Sequence, residues 1–128
     1  MVLGRKILIA CSNPEWAHAL CEVLSIWGME VSSADSLPAA RSILREQPVA
    51  VVFAEMSLRG SDFRELHEFL TSTAREVPLI ALISDEKRYG EAIQCGAFDA
   101  ISYPWRRSEV QWMVIHALND AASVSREP

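Results

Sequence analysis

The chain is 128 residues long, half hydrophobic and 23% charged, with a net charge of −5. This suits one globular domain and excludes a disordered or low-complexity chain. The apolar runs are too short to span a membrane, and the acidic balance offers no footprint for nucleic acid.

In chain order, short apolar runs alternate with longer amphipathic segments. Ile7–Cys11 is the first run. Asn13-Pro14-Glu15 then supplies an N-cap, a proline at the first helical position and an early acid. Leu20, Val23, Leu24 and Trp27 follow at helical spacing, and Gly28 stops that helix. Met29–Ser33 is the second run. Leu37, Ala40, Ile43 and Leu44 form the next helical stripe, ended by Pro48. Val49–Ala54 is the third run, followed by a helix carrying Phe63, Leu66, Phe69 and Leu70 and ending before Pro78. Leu79–Ile83 is the fourth run. A short helix over Glu86–Cys95, with Tyr89, Ala92 and Ile93 expected inward, stops at Gly96. Ala100–Ser102 is the fifth run, and Ser108-Glu109 opens a last helix bearing Val110, Met113, Val114, Ala117, Leu118 and Ala121 on one arc.

The first, third and fourth runs are almost continuously apolar rather than alternating. That is the pattern of strands covered on both faces, as in a parallel sheet with helices above and below. Five β-α repeats with short connections predict a doubly wound α/β fold, a five-stranded parallel sheet in a three-layer sandwich. Its site is expected beyond the carboxyl ends of the strands, next to strand one. Residues 1–122 are assigned to this domain and 123–128 to a tail or the start of a linker. Residues 1–10 lack the long apolar stretch and cleavage site of a signal peptide, so a cytoplasmic location is expected. Cys11, Cys21 and Cys95 are odd in number and widely spaced, which indicates neither a disulfide framework nor a zinc site.

Three stretches carry a resemblance across nearly the whole chain. They are Lys6-Ile7-Leu8-Ile9 leading to Asn13-Pro14, the runs opened by Pro48 and Pro78, and Gly96-Ala97-Phe98-Asp99-Ala100-Ile101-Ser102-Tyr103-Pro104-Trp105. Together they resemble the response-regulator receiver domain of the CheY-like superfamily, a flavodoxin-like fold used in bacterial two-component and phosphorelay signalling. The resemblance implies a phosphoryl-accepting aspartate after strand three, an acidic pair for Mg²⁺ after strand one, a hydroxyl after strand four and a lysine before the proline of strand five. It also implies the strand order 2-1-3-4-5 and a cis Tyr103–Pro104 bond.

None of those chemical groups stands here. Cys11 and Ser12 replace the acidic pair, Ile83 with Ser84 next to it replaces the hydroxyl, and Tyr103 replaces the lysine. The aromatic switch position reads Ala100. The acceptor position falls on Ala54 when counted from Pro48, the register that keeps Arg64 and His67 of the next helix off inward positions; the alternative register gives Glu55. Either way no aspartate is present. The expectation is a degenerate pseudo-receiver that is not an enzyme, needs no cofactor or metal, and works by protein–protein contact. The alternatives are an atypical regulator phosphorylated on Glu55 and a small-ligand module at the vacated crevice.

Individual residues carry further expectations. Glu55 either mimics a phosphorylated state or faces solvent or Arg59. Cys11 is either a reactive thiol near a helix N-terminus or a buried small hydrophobe. His18, His67 and His116 lie on different helices without ligand spacing, and His18–Glu22 reads as a surface pair. Arg106 and Arg107 precede the last helix as solvated charges or as contacts for an anion or acidic partner. Trp112, Ile115 and His116 fall outside the core arc, and an outward Trp beside an Ile suits an interface. The resemblance implies a dimer or effector face built by helix four, strand five and helix five. Tyr89 and Trp105 are counted with it. The partners expected are therefore signalling proteins or a second copy, with neither nucleic acid nor membrane bound by this domain.

Overall fold

The computed structural model describes residues 5–56, 63–72 and 77–126. The elements are β1 (Lys6–Ala10), α1 (Pro14–Ile26), β2 (Glu30–Ala34), α2 (Leu37–Glu46), β3 (Val51–Glu55), α3 (Phe63–Ser72), β4 (Leu79–Ile83), α4 (Tyr89–Gln94), β5 (Asp99–Ser102) and α5 (Arg107–Arg126). All strand pairings are parallel, and the order across the sheet is β2-β1-β3-β4-β5. This is the doubly wound sandwich that the sequence pattern predicts. No helix of the described residues is long and apolar enough to cross a membrane.

Successive strand side chains point to opposite faces, and here both faces are buried. Leu8, Ala10, Val52, Ala54, Ala81 and Ile83 pack with Leu37, Ala40 and Leu44 of α2, Leu66 and Leu70 of α3, and Ala92 of α4. Ile7, Ile9, Val51, Phe53, Ile80, Leu82 and Ile101 pack on the other side with Leu20 and Leu24 of α1 and with Val110, Met113, Val114 and Ala117 of α5. Among the described residues no polar or charged residue is buried. Each fully buried Leu, Ile or Phe contributes roughly 1.5–3 kcal/mol, so the two half-cores supply the main driving force.

Helix ends follow their local chemistry. The Asn13 side chain accepts from the amides of Glu15 (3.0 Å) and Trp16 (3.3 Å), capping α1. Gly28 closes α1 at φ 93°. The fourth helical segment is divided: a 3₁₀ turn, Glu86–Arg88, capped by Asp85, leads into α4. This short helix buries only Ala92; Tyr89 and Ile93, expected inward, are exposed. So short a helix cannot hold two large side chains against a sheet edge that Ala92 already meets. At the far end, α5 runs past residue 122 to Arg126, because no Gly or Pro interrupts the chain there; residues 127–128 lie outside the described residues. The side chains expected inward at Phe63 and Ala121 also lie outside them. The Tyr103–Pro104 bond is cis.

Gly96 follows α4 at φ 105°, a backbone conformation that L side chains rarely adopt, and a Cβ there would collide with the His67 imidazole. Gly90 has open space around its Cα. We expect Gly96→Ala to cost about 1–3 kcal/mol of stability and Gly90→Ala to add about 0.5–1 kcal/mol. Urea unfolding of both variants checks the pair, and an equal effect at the two sites would contradict the backbone argument.

Candidate functional site

The order of strands reverses about β1, so the crevice opens beyond the carboxyl ends of β1 and β3. Ala10 lies level with Ala54; Cys11 follows the end of β1, while Glu55 ends β3 and still pairs with Leu82 of β4. Strand alternation then decides which residue of β3 faces the crevice. Ala54 is fully buried on the α2–α3–α4 side, so the register counted from Pro48 is corrected. Glu55, one residue on, reaches the crevice, where Ser12 donates to its Oε1 twice, from the backbone N–H and from Oγ, both at 2.8 Å. The expectation that Glu55 faces solvent alone is corrected in the same way; Arg59 lies outside the described residues.

Cys11 is buried and donates from Sγ to the carbonyl oxygen of Asn13 at 3.4 Å. Burial pushes its thiol from 9.0 up to about 11, and the Glu55 carboxylate adds to the rise, outweighing the amides of the first turn of α1. The group is therefore a neutral thiol at physiological pH, a space-filling hydrophobe rather than a nucleophile.

The mouth of the crevice holds an aromatic cluster that the sequence did not announce. Trp16, in the first turn of α1, stacks on Tyr103 with centroids 5.8 Å apart. Trp105 meets Tyr103 edge-on at 5.1 Å and Trp16 at 6.0 Å. Both Trp16 and Trp105 also pack against the α1–α5 half-core. Trp105 is thus half-buried with these partners and does not share the Trp112 surface, which corrects its assignment to that face; its indole nitrogen is shielded without a hydrogen-bond partner. The signal for this cluster lay in the topology. Trp16 and the Tyr103-Pro104-Trp105 run both follow the carboxyl ends of strands, so a parallel sheet brings them to one edge.

The remaining crevice candidates divide. Ile83 is buried in the α2–α3–α4 half-core and Ser84 is exposed. Ile83 and the buried Ala100 instead line a separate depression of about 380 Å³ between α4, β5 and α5. Nearby, Tyr89 is 45% exposed, Ile115 42% and Trp112 58%. Trp112 stacks on His116 at 4.5 Å, and His116 in turn meets Phe98 at 6.2 Å. Tyr89 donates to Asp99 Oδ1 at 2.8 Å, and that bond to a carboxylate raises its phenol above the usual range. His18 pairs with Glu22 at 3.7 Å on the surface, as expected. Arg106 and Arg107 are exposed, and neither makes an ion pair among the described residues.

The site does not fit Mg²⁺. The ion needs carboxylate oxygens in octahedral array. The crevice residues described here supply one carboxylate, already engaged by two donors, beside a neutral thiol and a hydroxyl. Among the described residues no three of His, Cys, Asp and Glu gather as a metal site.

No family model matches the sequence, and no curated protein matches it. Solved structures do match in fold. A signal receiver domain of an HD domain-containing protein from Pseudomonas fluorescens is 21% identical with TM-score 0.86, covering 100% of this chain and 96% of that one. The receiver domain of a sensor histidine kinase from Pseudomonas aeruginosa, described with a magnesium ion coordinated in its active-site cleft, is 22% identical with TM-score 0.81, covering 91% and 98%. NtrX from Brucella abortus is 20% identical with TM-score 0.86; 97% of this chain covers 29% of that longer one. These likenesses establish the fold, that of response-regulator receiver domains.

Alkylation checks the thiol. In the native protein at pH 7.5, Cys11 should react with iodoacetamide far more slowly than Cys21 or Cys95, followed by peptide mass spectrometry. Glu55→Gln should speed Cys11 modification, because a charge that raises the thiol's pKa is removed. The raised pKa also means that stability contributed by the neutral thiol is complete below pH 9 and is lost as pH climbs toward about 11.

Proposed function

We propose that this chain is a pseudo-receiver: a receiver-fold binding module of a bacterial signalling protein that acts in the cytoplasm through protein–protein contact and catalyses no phosphoryl transfer. The observation that carries this reading is the Ser12–Glu55 pair. In place of an acceptor beside an acidic pair, the crevice has a glutamate whose Oε1 is already bonded by Ser12. Phosphoryl transfer in this fold needs cationic stabilisation of the moving oxygens. The position of the lysine is taken by Tyr103, stacked on Trp16. A phosphoryl group arriving here would meet a carboxylate and aromatic walls, an environment that penalises its charge.

The contact surface is the α4–β5–α5 face. Trp112 and Ile115 stand exposed on α5, and Tyr89 on α4. Exposed aromatics of this type concentrate at the centres of protein interfaces. The partner is a signalling protein or a second copy of the chain.

Two measurements test the reading. Mg²⁺ with beryllofluoride or acetyl phosphate should leave Trp105 fluorescence unchanged and add no phosphate to the intact mass. A saturable Mg²⁺-dependent quench, or an adduct removed by Glu55→Gln, would overturn it. Trp112→Asp should leave the circular dichroism and melting temperature near wild type while weakening association with a captured partner or a second copy, since the indole lies off the core.

A further inference from the structure

The depression beneath the α4–α5 surface has a definite chemistry. It is lined by Ile83 and by Ala100, Ile101 and Ser102 from the strand ends, with Glu86, Glu109 and Tyr89 from the segments beside them. The cavity exists because Ala100 is small: an aromatic side chain at that buried position would occupy the space above β5. At about 380 Å³ it falls in the size range of sites that seat a ligand or a large side chain.

Its electrostatics are one-sided. Glu86 and Glu109 are exposed, and neither makes an ion pair among the described residues. Glu109 Oε1 accepts only from the Arg106 amide, at 3.4 Å. Of the basic residues nearest in sequence, Arg88 is paired with Glu91 at 3.1 Å, and Lys87, Arg106 and Arg107 do not line the cavity. The Tyr89 ring is fixed as a wall by its hydroxyl's bond to Asp99.

We infer that this cavity is the receptor for one arginine side chain of a partner protein, which inserts its stem over Ala100 and brings its guanidinium to Glu86 and Glu109 beside the Tyr89 ring. The inference rests on the protein-contact reading above and names the chemistry of that contact. Ile83 and Ala100 offer apolar contact to the methylene stem of a long basic side chain, whose head stays with the two carboxylates. The guanidinium is planar, pairs with carboxylates and stacks on aromatic faces, where a lysine ammonium does neither as well. An acidic side chain would be repelled by both glutamates, and a purely apolar one would desolvate them without return. A second copy of the chain is disfavoured by the charge of −5 on each.

The probe is acetyl-Gly-Arg-Gly-amide, titrated to about millimolar concentration into the ¹⁵N-labelled 128-residue chain. The amides of Ile83, Ala100, Ile101 and Ser102 should move saturably. The citrulline peptide, neutral but of the same shape, should bind about fivefold to tenfold more weakly. Glu86→Gln and Glu109→Gln, both surface changes, should each weaken the arginine peptide, and Ala100→Phe should block it. Unmoved cavity amides, equal affinity for citrulline, or binding that survives Ala100→Phe and both glutamine variants would overturn the inference. So would cavity shifts that grow with protein concentration alone, which assign the cavity to a second copy. Beryllofluoride with Mg²⁺ added to the same sample separates the two levels: shifts at Ser12 and Glu55 sink the pseudo-receiver reading, whereas a silent crevice with silent cavity amides sinks only the arginine receptor.

Discussion

A sheet buried on both faces leaves polar groups only its ends and its surface helices. Phe53 points into one half-core and Ala54 into the other, and neither has room for charge. Glu55 is the first residue of β3 that can be polar, because it is the last of its strand and lies beyond the pairing with β1, which stops at Ala10. The same constraint sets Cys11 beside it as a buried thiol and puts Ser12 where its amide and hydroxyl can reach the carboxylate. Everything at the carboxyl end follows from how two strands run out of their covered length.

The crevice built this way is chemically quiet. Hydrogen bonds to a charged acceptor contribute roughly 1.5–3 kcal/mol each, so Ser12 holds Glu55 firmly in one arrangement. Burial and the neighbouring carboxylate keep the Cys11 thiol protonated. Trp16, Tyr103 and Trp105 pack edge and face across the loops that follow β1 and β5. Aromatic pairs of this kind contribute about 0.5–1.5 kcal/mol beyond their burial, which ties those loops together without any bound ion. An end of the sheet that could carry a charge-transfer site is instead stapled by packing.

The α4–β5–α5 surface is built differently. The α4 segment is short, buries only Ala92 and leaves Tyr89 and Ile93 outside. Ala100 beneath it opens a cavity rather than filling one. On α5, the inner arc of Val110, Met113, Val114 and Ala117 is fully used by the core, so Trp112 and Ile115 have nothing of their own chain to cover them beyond the His116 stack. Exposed aromatics, a depression beside them and two carboxylates outside any ion pair among the described residues are the features on which the proposed contact rests.

The alternation of apolar runs and amphipathic segments was enough to show five strands in a doubly wound sheet and the inner faces of α1, α2 and α5, though not that of α4, because double-sided burial writes itself into continuous hydrophobicity along β1, β3 and β4. Asn13, Gly28 and Gly96 marked helix ends through chemistry that acts over a few residues. The residue types at the strand ends, Cys11, Ser12 and Tyr103, could be read directly. Which of Ala54 and Glu55 enters the crevice could not, since a slip of one residue on a strand reverses its side chains and only pairing with β1 settles the register. Nor did local pattern show that Trp16 stacks on Tyr103, that Trp105 belongs with them instead of with Trp112, or that Ala100 leaves a cavity rimmed by Glu86 and Glu109. Those contacts join residues far apart in the chain, and their existence depends on how the helices sit over the sheet, which is decided by packing in three dimensions.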